Sequence, residues 1–442
     1  MAPLDTSPNE LESYWLPFTP NRAFKKNPRI FTGAKNMHFT TPDGRNVIDS
    51  SSGLFCVNAG HCRAPIVEAI QQTAANLDFA PPFQYGHPQV FELSSRLALM
   101  APGDLDHALF ACSGSEAVET AMKVALAYHK AKGEGARTRF IGRARGYHGV
   151  NFGGISVGGM VNNRKAFGTM LTGVDHMKAT YNREKQAFSV GEPEWGAHLA
   201  HELEDLISLH DASTIAAVLV EPVAGSTGCL PPPKGYLEKL REITEKHGIL
   251  LIFDEVITGF GRIGYGFGSE RYGVVPDMLT FAKGVTNGSV PMSGVMVRNE
   301  IYDAHMQGPD YLIELFHGYT YSGHPLAVSA AIATLNLYRD EGLFERCREH
   351  EALFAELMMS LKDCPNVADI RPIGLMAGID LAPGDMKPGE RGYAAIERMY
   401  HEHDLYCRVT MDTLIVAPPL IASKSELEEI RDKISKVLHA VA

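Results

Sequence analysis

The chain has 442 residues, 45% hydrophobic and 21% charged, which is long enough for two domains and a large globular core. Lys+Arg number 41 against 52 Asp+Glu, a formal net charge of -11, and that balance disfavours non-specific binding to nucleic acid. No stretch approaches the roughly 20 apolar residues of a membrane span, and the acidic start MAPLDTSPNELESYW lacks the apolar run of a signal peptide. The seven cysteines are dispersed and form no CxxC, the pattern of reduced thiols in a cytoplasmic protein rather than of a disulfide frame or a zinc site. His198/His201 and His401/His403 lie in polar, helix-like surroundings and read as surface histidines, so no metal is expected.

In chain order, residues 1–60 carry polar turns between short strand candidates, Met37–Thr40 and Val47–Asp49, with a leading helix. Helical spacing follows over Ala64–Leu77 and Val90–Met100. Ala108–Cys112 reads as a strand stopping at Ser113-Gly114-Ser115, and Ser113 with Glu116 forms a capping box for the helix after it. A Ser-Gly-Ser turn at a helix start offers free N–H groups and hydroxyls to a phosphate, although an ordinary capped helix has the same sequence. Thr138–Ile141 reads as a strand, and beyond it Tyr147 sits among glycines. Pro193–Leu209 reads as an amphipathic helix, Ala216–Val220 as a strand ending at Glu221-Pro222, and Tyr236–His247 as a helix.

Next come two apolar runs, Ile249–Phe253 and Met278–Phe281, too short for helices and bounded by breakers; they read as buried parallel strands. Asp254-Glu255 closes the first run and Lys283 follows the second. Ligands bind at the carboxyl ends of strands in open α/β sheets, so the acid and the lysine point to one site. A lysine in apolar surroundings loses its proton near neutral pH and becomes a nucleophile. Taken singly, the same residues also fit a helix-capping acid and a strand-end charge. Two rival motifs are set aside. Gly259-Phe260-Gly261-Arg262-Ile263-Gly264 matches a dinucleotide fingerprint, but no amphipathic helix follows it. Gly154-Ile155-Ser156-Val157-Gly158 matches a nucleophile elbow, but it sits in glycine-rich loop with no clear strand in front.

Strands alternating with helices from about 64 to 300 predict a mostly parallel sheet covered on both faces. Beyond it, a helix over Leu326–Asp340 leads into an α+β segment. That segment has helices over 342–362, 389–403 and Lys424–Leu438, and strands near Met376–Asp380 and Leu414–Val416. The expected division is 61–325 as a large domain and 326–442 as a small one, with 1–60 joining the small domain.

The run IFDEVITGFGRIG followed by PDMLTFAKG, with PFTPNRAFKKNPRIF near the start and CRVTMDTLIVAPPLI near the end, resembles the class III (ω-) aminotransferases. These are pyridoxal-phosphate enzymes of fold type I, and the likeness is greatest to the ω-amino acid–pyruvate (β-alanine–pyruvate) group. The resemblance implies Lys283 as the Schiff-base lysine and Asp254 as partner of the cofactor's ring nitrogen. It places Val256 and Tyr147 against the two faces of the ring, Gly114 and Ser115 at the phosphate, and Glu221 as a supporting acid. Thr320 is similar to a threonine that reaches a phosphate across a dimer interface, which implies a homodimer or homotetramer. Arg408 falls on an arginine that binds a substrate carboxylate, and Phe55 and Phe83 are expected to line the substrate pocket. Phe55 and Met411 depart from the Trp and Gly common in this group, and Ser226 stands where some relatives carry a glutamate that pairs with the arginine.

The implied reaction is a ping-pong transfer of an amino group from an ω-amino acid or primary amine to pyruvate, with Lys283 as general base. An aminomutase of the glutamate-semialdehyde type and a non-catalytic homologue are the alternatives.

Overall fold

The computed structural model describes residues 11–442; the first ten residues of the acidic start lie outside them. Its centre is a seven-stranded sheet. From one edge to the other the strands are His107–Ala111, Ser293–Val297, Met278–Phe281, Leu250–Asp254, Ile215–Val220, Arg139–Arg143 and Val174–Met177. Ser293–Val297 pairs antiparallel with both neighbours, and the other pairings are parallel, so six strands point the same way.

The central strands are apolar without alternation because both faces are covered. Within Leu250–Asp254, Leu250 and Ile252 pack with Val118, Ala121 and Ala125 of the helix Gly114–Ala131. Leu251 and Phe253 pack on the other side with Leu237, Leu240 and Ile243 of the helix Tyr236–Lys246. Fully burying one such side chain contributes about 1.5–3 kcal/mol.

Two four-stranded sheets complete the fold. Gly33–Lys35, His38–Thr40 and Asn46–Asp49 form one, and Leu405–Tyr406 joins it parallel to Asn46–Asp49. Val367–Ile373, Met376–Leu381, Thr413–Val416 and Arg408–Thr410 form the other, antiparallel throughout. Among the described residues no helix is long and apolar enough to cross a membrane. All seven cysteines are unpaired.

The structure corrects two sequence expectations. Pro193–Leu209 is not one helix: Gly196 at φ 123° interrupts it, a 3-10 turn spans Ala197–His201, and the α-helix begins only at Glu202. The segment around Ser156 is a buried helix, Phe152–Val157, and not a loop. Glycine is needed there because a Cβ at Gly154 would come within 2.2 Å of the His148 carbonyl oxygen. The Gly259–Gly264 run is a turn wrapped around a structural arginine. Arg262 is fully buried and donates to the carbonyls of Leu375 and Pro418 and to Ser52 Oγ and Asn58 Oδ1.

Candidate active site

The shared direction of the strands decides where the functional side chains meet. His107–Ala111 runs into Gly114 and Ser115, Arg139–Arg143 into Tyr147, and Ile215–Val220 into Glu221. Leu250–Asp254 ends on Asp254, and Met278–Phe281 delivers Lys283. All five ends therefore open at one edge of the sheet. One cavity there is lined by Gly114, Ser115, Tyr147, Glu221, Asp254, Val256 and Lys283.

Lys283 sits in a left-handed backbone conformation (φ 50°) just past its strand, and it lines the cavity. Burial of the amine lowers its pKa to about 8, although Asp254 and the Cys56 thiol pull in the opposite direction. Desolvation outweighs the nearby acid because the ammonium is enclosed by protein even though part of the side chain faces the cavity. An amine titrating there is neutral in about one molecule in ten at pH 7, against fewer than about one in a thousand for an ordinary lysine. The neutral fraction rises with pH, so acylation of Lys283 in the cofactor-free protein by an amine-selective reagent is expected to accelerate with pH and level off above about 8. Peptide mapping across a pH series measures this, and an inflection at the ordinary lysine value contradicts it.

Asp254 is held by three donors: the Val256 N–H (3.1 Å) and Thr280 Oγ1 (3.2 Å) at Oδ1, and His148 Nδ1 (2.8 Å) at Oδ2. His148 is fully buried, and its Nε2 has no partner among the described residues. Sequence reasoning missed this histidine. Its only signal was a position beside Tyr147, because its partner lies 106 residues away.

Glu221 is buried, and burial raises its carboxyl pKa. Its two oxygens accept the N–H groups of Tyr147 and Gly225, both at 2.9 Å. The acid thus fixes the backbone that carries Tyr147.

The residues fit pyridoxal phosphate. A Cβ at Gly114 would lie 3.1 and 3.2 Å from the Val256 methyl carbons, so glycine keeps the helix start open beside Val256. Ser115 Oγ accepts from the Val150 N–H, which leaves its own hydrogen for an anion at the amino end of an 18-residue helix. A carboxylate for the ring nitrogen, a phosphate cradle and a low-pKa amine for the aldehyde are thus on one cavity.

Phe55 and Arg408 adjoin this cavity. Lys283 Nζ lies 5.7 Å from the Phe55 ring centroid, and Arg408 Cζ lies 5.9 Å from it. Arg408 enters no ion pair among the described residues, and its buried Nε has no partner. Ser226 carries no charge and meets the neighbouring strand through its carbonyl, which accepts from Thr410 Oγ1 at 3.1 Å. Met411 is half-exposed in the turn after Arg408–Thr410.

Two expected site residues do not reach the cavity within this chain. Phe83 is 56% exposed and lies against Gly318, and Thr320 is exposed on the same loop.

Comparison with known proteins agrees with this geometry. Residues 21–438 match the family described as aminotransferase class-III. An omega-aminotransferase of Caulobacter vibrioides is 54% identical over 437 residues, 99% of each chain. A beta-alanine–pyruvate aminotransferase of Pseudomonas aeruginosa is 45% identical, covering 100% of this chain and 99% of the relative. The crystal structure of an amine transaminase from an uncultivated Pseudomonas species, in its PLP-bound form, superposes with a TM-score of 0.89 at 34% identity, covering 97% and 99% of the two chains. With the family matched along nearly its whole length, the chain belongs to the class III aminotransferases, enzymes of fold type I that work with pyridoxal phosphate.

Proposed function

We propose that this transaminase moves an amino group from an ω-amino acid such as β-alanine, or from a primary amine, to pyruvate. The observation that carries the reading is the unpaired Arg408 guanidinium, which lies near the same Phe55 ring as Lys283. A planar guanidinium with no acid of its own binds a carboxylate through two charge-assisted hydrogen bonds. Pyruvate and β-alanine both bring one. The relatives named for β-alanine and pyruvate support the same assignment.

The placement of the remaining residues supports these roles. Bound pyridoxal phosphate supplies an electron-accepting ring that stabilises negative charge on the carbon bearing the amine. Gly114 and Ser115 would hold its phosphate, Val256 and Tyr147 would contact its ring, and the Asp254 carboxylate would keep the ring nitrogen protonated. Lys283 Nζ, uncharged in part near neutral pH, removes the proton from the donor carbon and returns it. His148 and Thr280 orient Asp254, and Glu221 orients Tyr147.

We infer further that the working unit is at least a homodimer. Phe316 is 86% exposed and Phe91 67% exposed, and Tyr321, also exposed, contacts Phe79 edge-on at 6.3 Å. This apolar face carries Phe83 and Thr320, and a second copy covering it would bring those residues to a neighbouring cavity. The pairing of Asn46–Asp49 with Leu405–Tyr406 supports residues 1–60 and 326–442 as one small domain beside 61–325. The unpaired thiols support a reducing, cytoplasmic location.

Replacing Arg408 by alanine tests the substrate assignment. The expected result is a loss of roughly 10- to 100-fold in kcat/KM for pyruvate and for β-alanine, the size of lost charge-assisted hydrogen bonds. The half-reaction with an alkyl amine, which has no carboxylate, stays within about twofold of wild type. Stopped-flow measurement of the separate half-reactions decides it, and equal losses for amine and β-alanine overturn the role.

A further inference from the structure

The segment that delivers Phe55 has an unusual backbone. Ser52 (φ 47°), Gly53 (φ 61°, ψ -104°) and Phe55 (φ 62°) all have positive φ. Two of the three carry side chains, so the surroundings must hold the turn in a conformation that L-residues avoid. Asp49, at the end of the strand Asn46–Asp49, is fully buried. Its Oδ1 accepts the Ser51 N–H at 2.9 Å. Its Oδ2 accepts the Gly53 N–H at 2.7 Å and faces His61 Nε2 at 2.7 Å. Other bonds tie the same turn to the chain on either side of Cys407: Ser51 Oγ accepts the Arg408 N–H at 2.8 Å, and the Tyr406 hydroxyl, on the strand Leu405–Tyr406, donates to the Gly53 carbonyl at 2.8 Å. Phe55 itself is 2% exposed, with Lys283 and Arg408 both near its ring.

We propose that Asp49 is a positioning residue for substrate size: its buried carboxylate, bound to the N–H groups of Ser51 and Gly53 and to His61, holds the Ser52–Phe55 turn so that the Phe55 ring closes the space between Lys283 and Arg408. This rests on the reading that Phe55 and Arg408 wall the substrate pocket. An amide at position 49 retains one acceptor oxygen and turns two donor hydrogens toward the Gly53 N–H and His61. The turn then relaxes and Phe55 no longer fills the gap. The ring acts by occupying volume, so the consequence is a change in which donors fit and not a loss of chemistry.

The test compares kcat/KM for propylamine and for 1-phenylpropylamine, each with pyruvate, in cofactor-loaded wild type, Asp49→Asn, Phe55→Ala and the double variant. Phe55→Ala is expected to raise the bulky-to-small ratio about tenfold or more. Asp49→Asn is expected to raise it at least about threefold while cofactor content, read from absorbance, stays at the wild-type level. In the Phe55→Ala background Asp49→Asn is expected to leave the ratio unchanged, because the side chain it positions is gone. If Phe55→Ala leaves the ratio alone, the pocket reading falls and the proposal with it. If Phe55→Ala shifts the ratio while Asp49→Asn lowers both amines by one factor, only the positioning role falls. Should Asp49→Asn fail to fold, His61→Leu removes a donor to the same carboxylate and takes its place in the comparison. His61→Gln, which keeps an N–H donor, is then the rescue expected near wild type, and matching ratios for the two His61 variants overturn the role.

Discussion

Replacing Lys283 by alanine is expected to leave a folded protein that still holds pyridoxal phosphate, without covalent attachment, and that turns over at least about 10⁴-fold more slowly. A positioned general base supplies typically 10²–10⁴-fold, and in the proposed role the same amine would also bind the cofactor's aldehyde. No neighbour replaces it: the side chains lining the cavity beside it are Ser115, Tyr147, His148, Glu221, Asp254, Val256, Ile257 and Ala282. Among these His148 is already committed to Asp254, and Glu221 to two backbone N–H groups. Folding should survive, because the change removes a buried amine and introduces no charge. Alanine can still adopt the φ of 50° at a modest cost in stability. Single-turnover kinetics together with cofactor content measure both halves of the expectation. Loss of cofactor along with activity would assign Lys283 to retention, and near-normal turnover would remove it from the chemistry.

Asp254→Asn is expected to cost about a hundredfold or more in the chemical step, with substrate binding little changed. A neutral amide occupies the same space but holds no proton on a ring nitrogen, and loss of one preorganised electrostatic contact commonly has this effect. The substitution also disturbs the donors that orient the acid. His148 Nδ1, Thr280 Oγ1 and the Val256 N–H all point at carboxylate oxygens. An amide satisfies the two on Oδ1 and meets His148 with its own N–H groups, so the imidazole must change tautomer. Stopped-flow rates for the amine half-reaction separate the effect on chemistry from that on binding, and a variant with near-normal turnover shows that the acid does not support the ring.

The elements that sequence patterning found are those whose burial is local and continuous. Met278–Phe281 has the bounds that its apolar run implied, and Leu250–Asp254 lies one residue from expectation. Both lie between two helical layers, so apolar side chains fill them apart from Asp254 and Thr280, which bond to each other. Ser293–Val297 escaped notice although all five of its residues are buried. Its reversed direction depends on pairing with His107–Ala111 and Met278–Phe281, and no local pattern encodes that. Phe152–Val157 was read as loop because its glycines suggest one, yet they are there for close approach: a Cβ at Gly153 would meet the Glu119 carboxylate at 2.5 Å. At the site, Lys283 and Asp254 stood out as charges ending apolar runs. His148, Asp49 and the turn at Ser52–Phe55 did not, because their meaning lies in partners that only the fold brings together. Arg262 lay inside a dinucleotide pattern that was set aside, and its structural role stayed unread for the same reason.

On the proposed reading Lys283 is the amine to which the cofactor attaches, at the end of a buried strand beside Asp254. Borohydride reduction of the cofactor-loaded protein, followed by proteolysis and mass spectrometry, tests it most directly, because reduction makes the carbon–nitrogen link permanent wherever it exists. The expected result is a single modified lysine, Lys283, in the wild type and no reduced adduct in Lys283→Ala. An adduct on any other lysine of the wild type would contradict it.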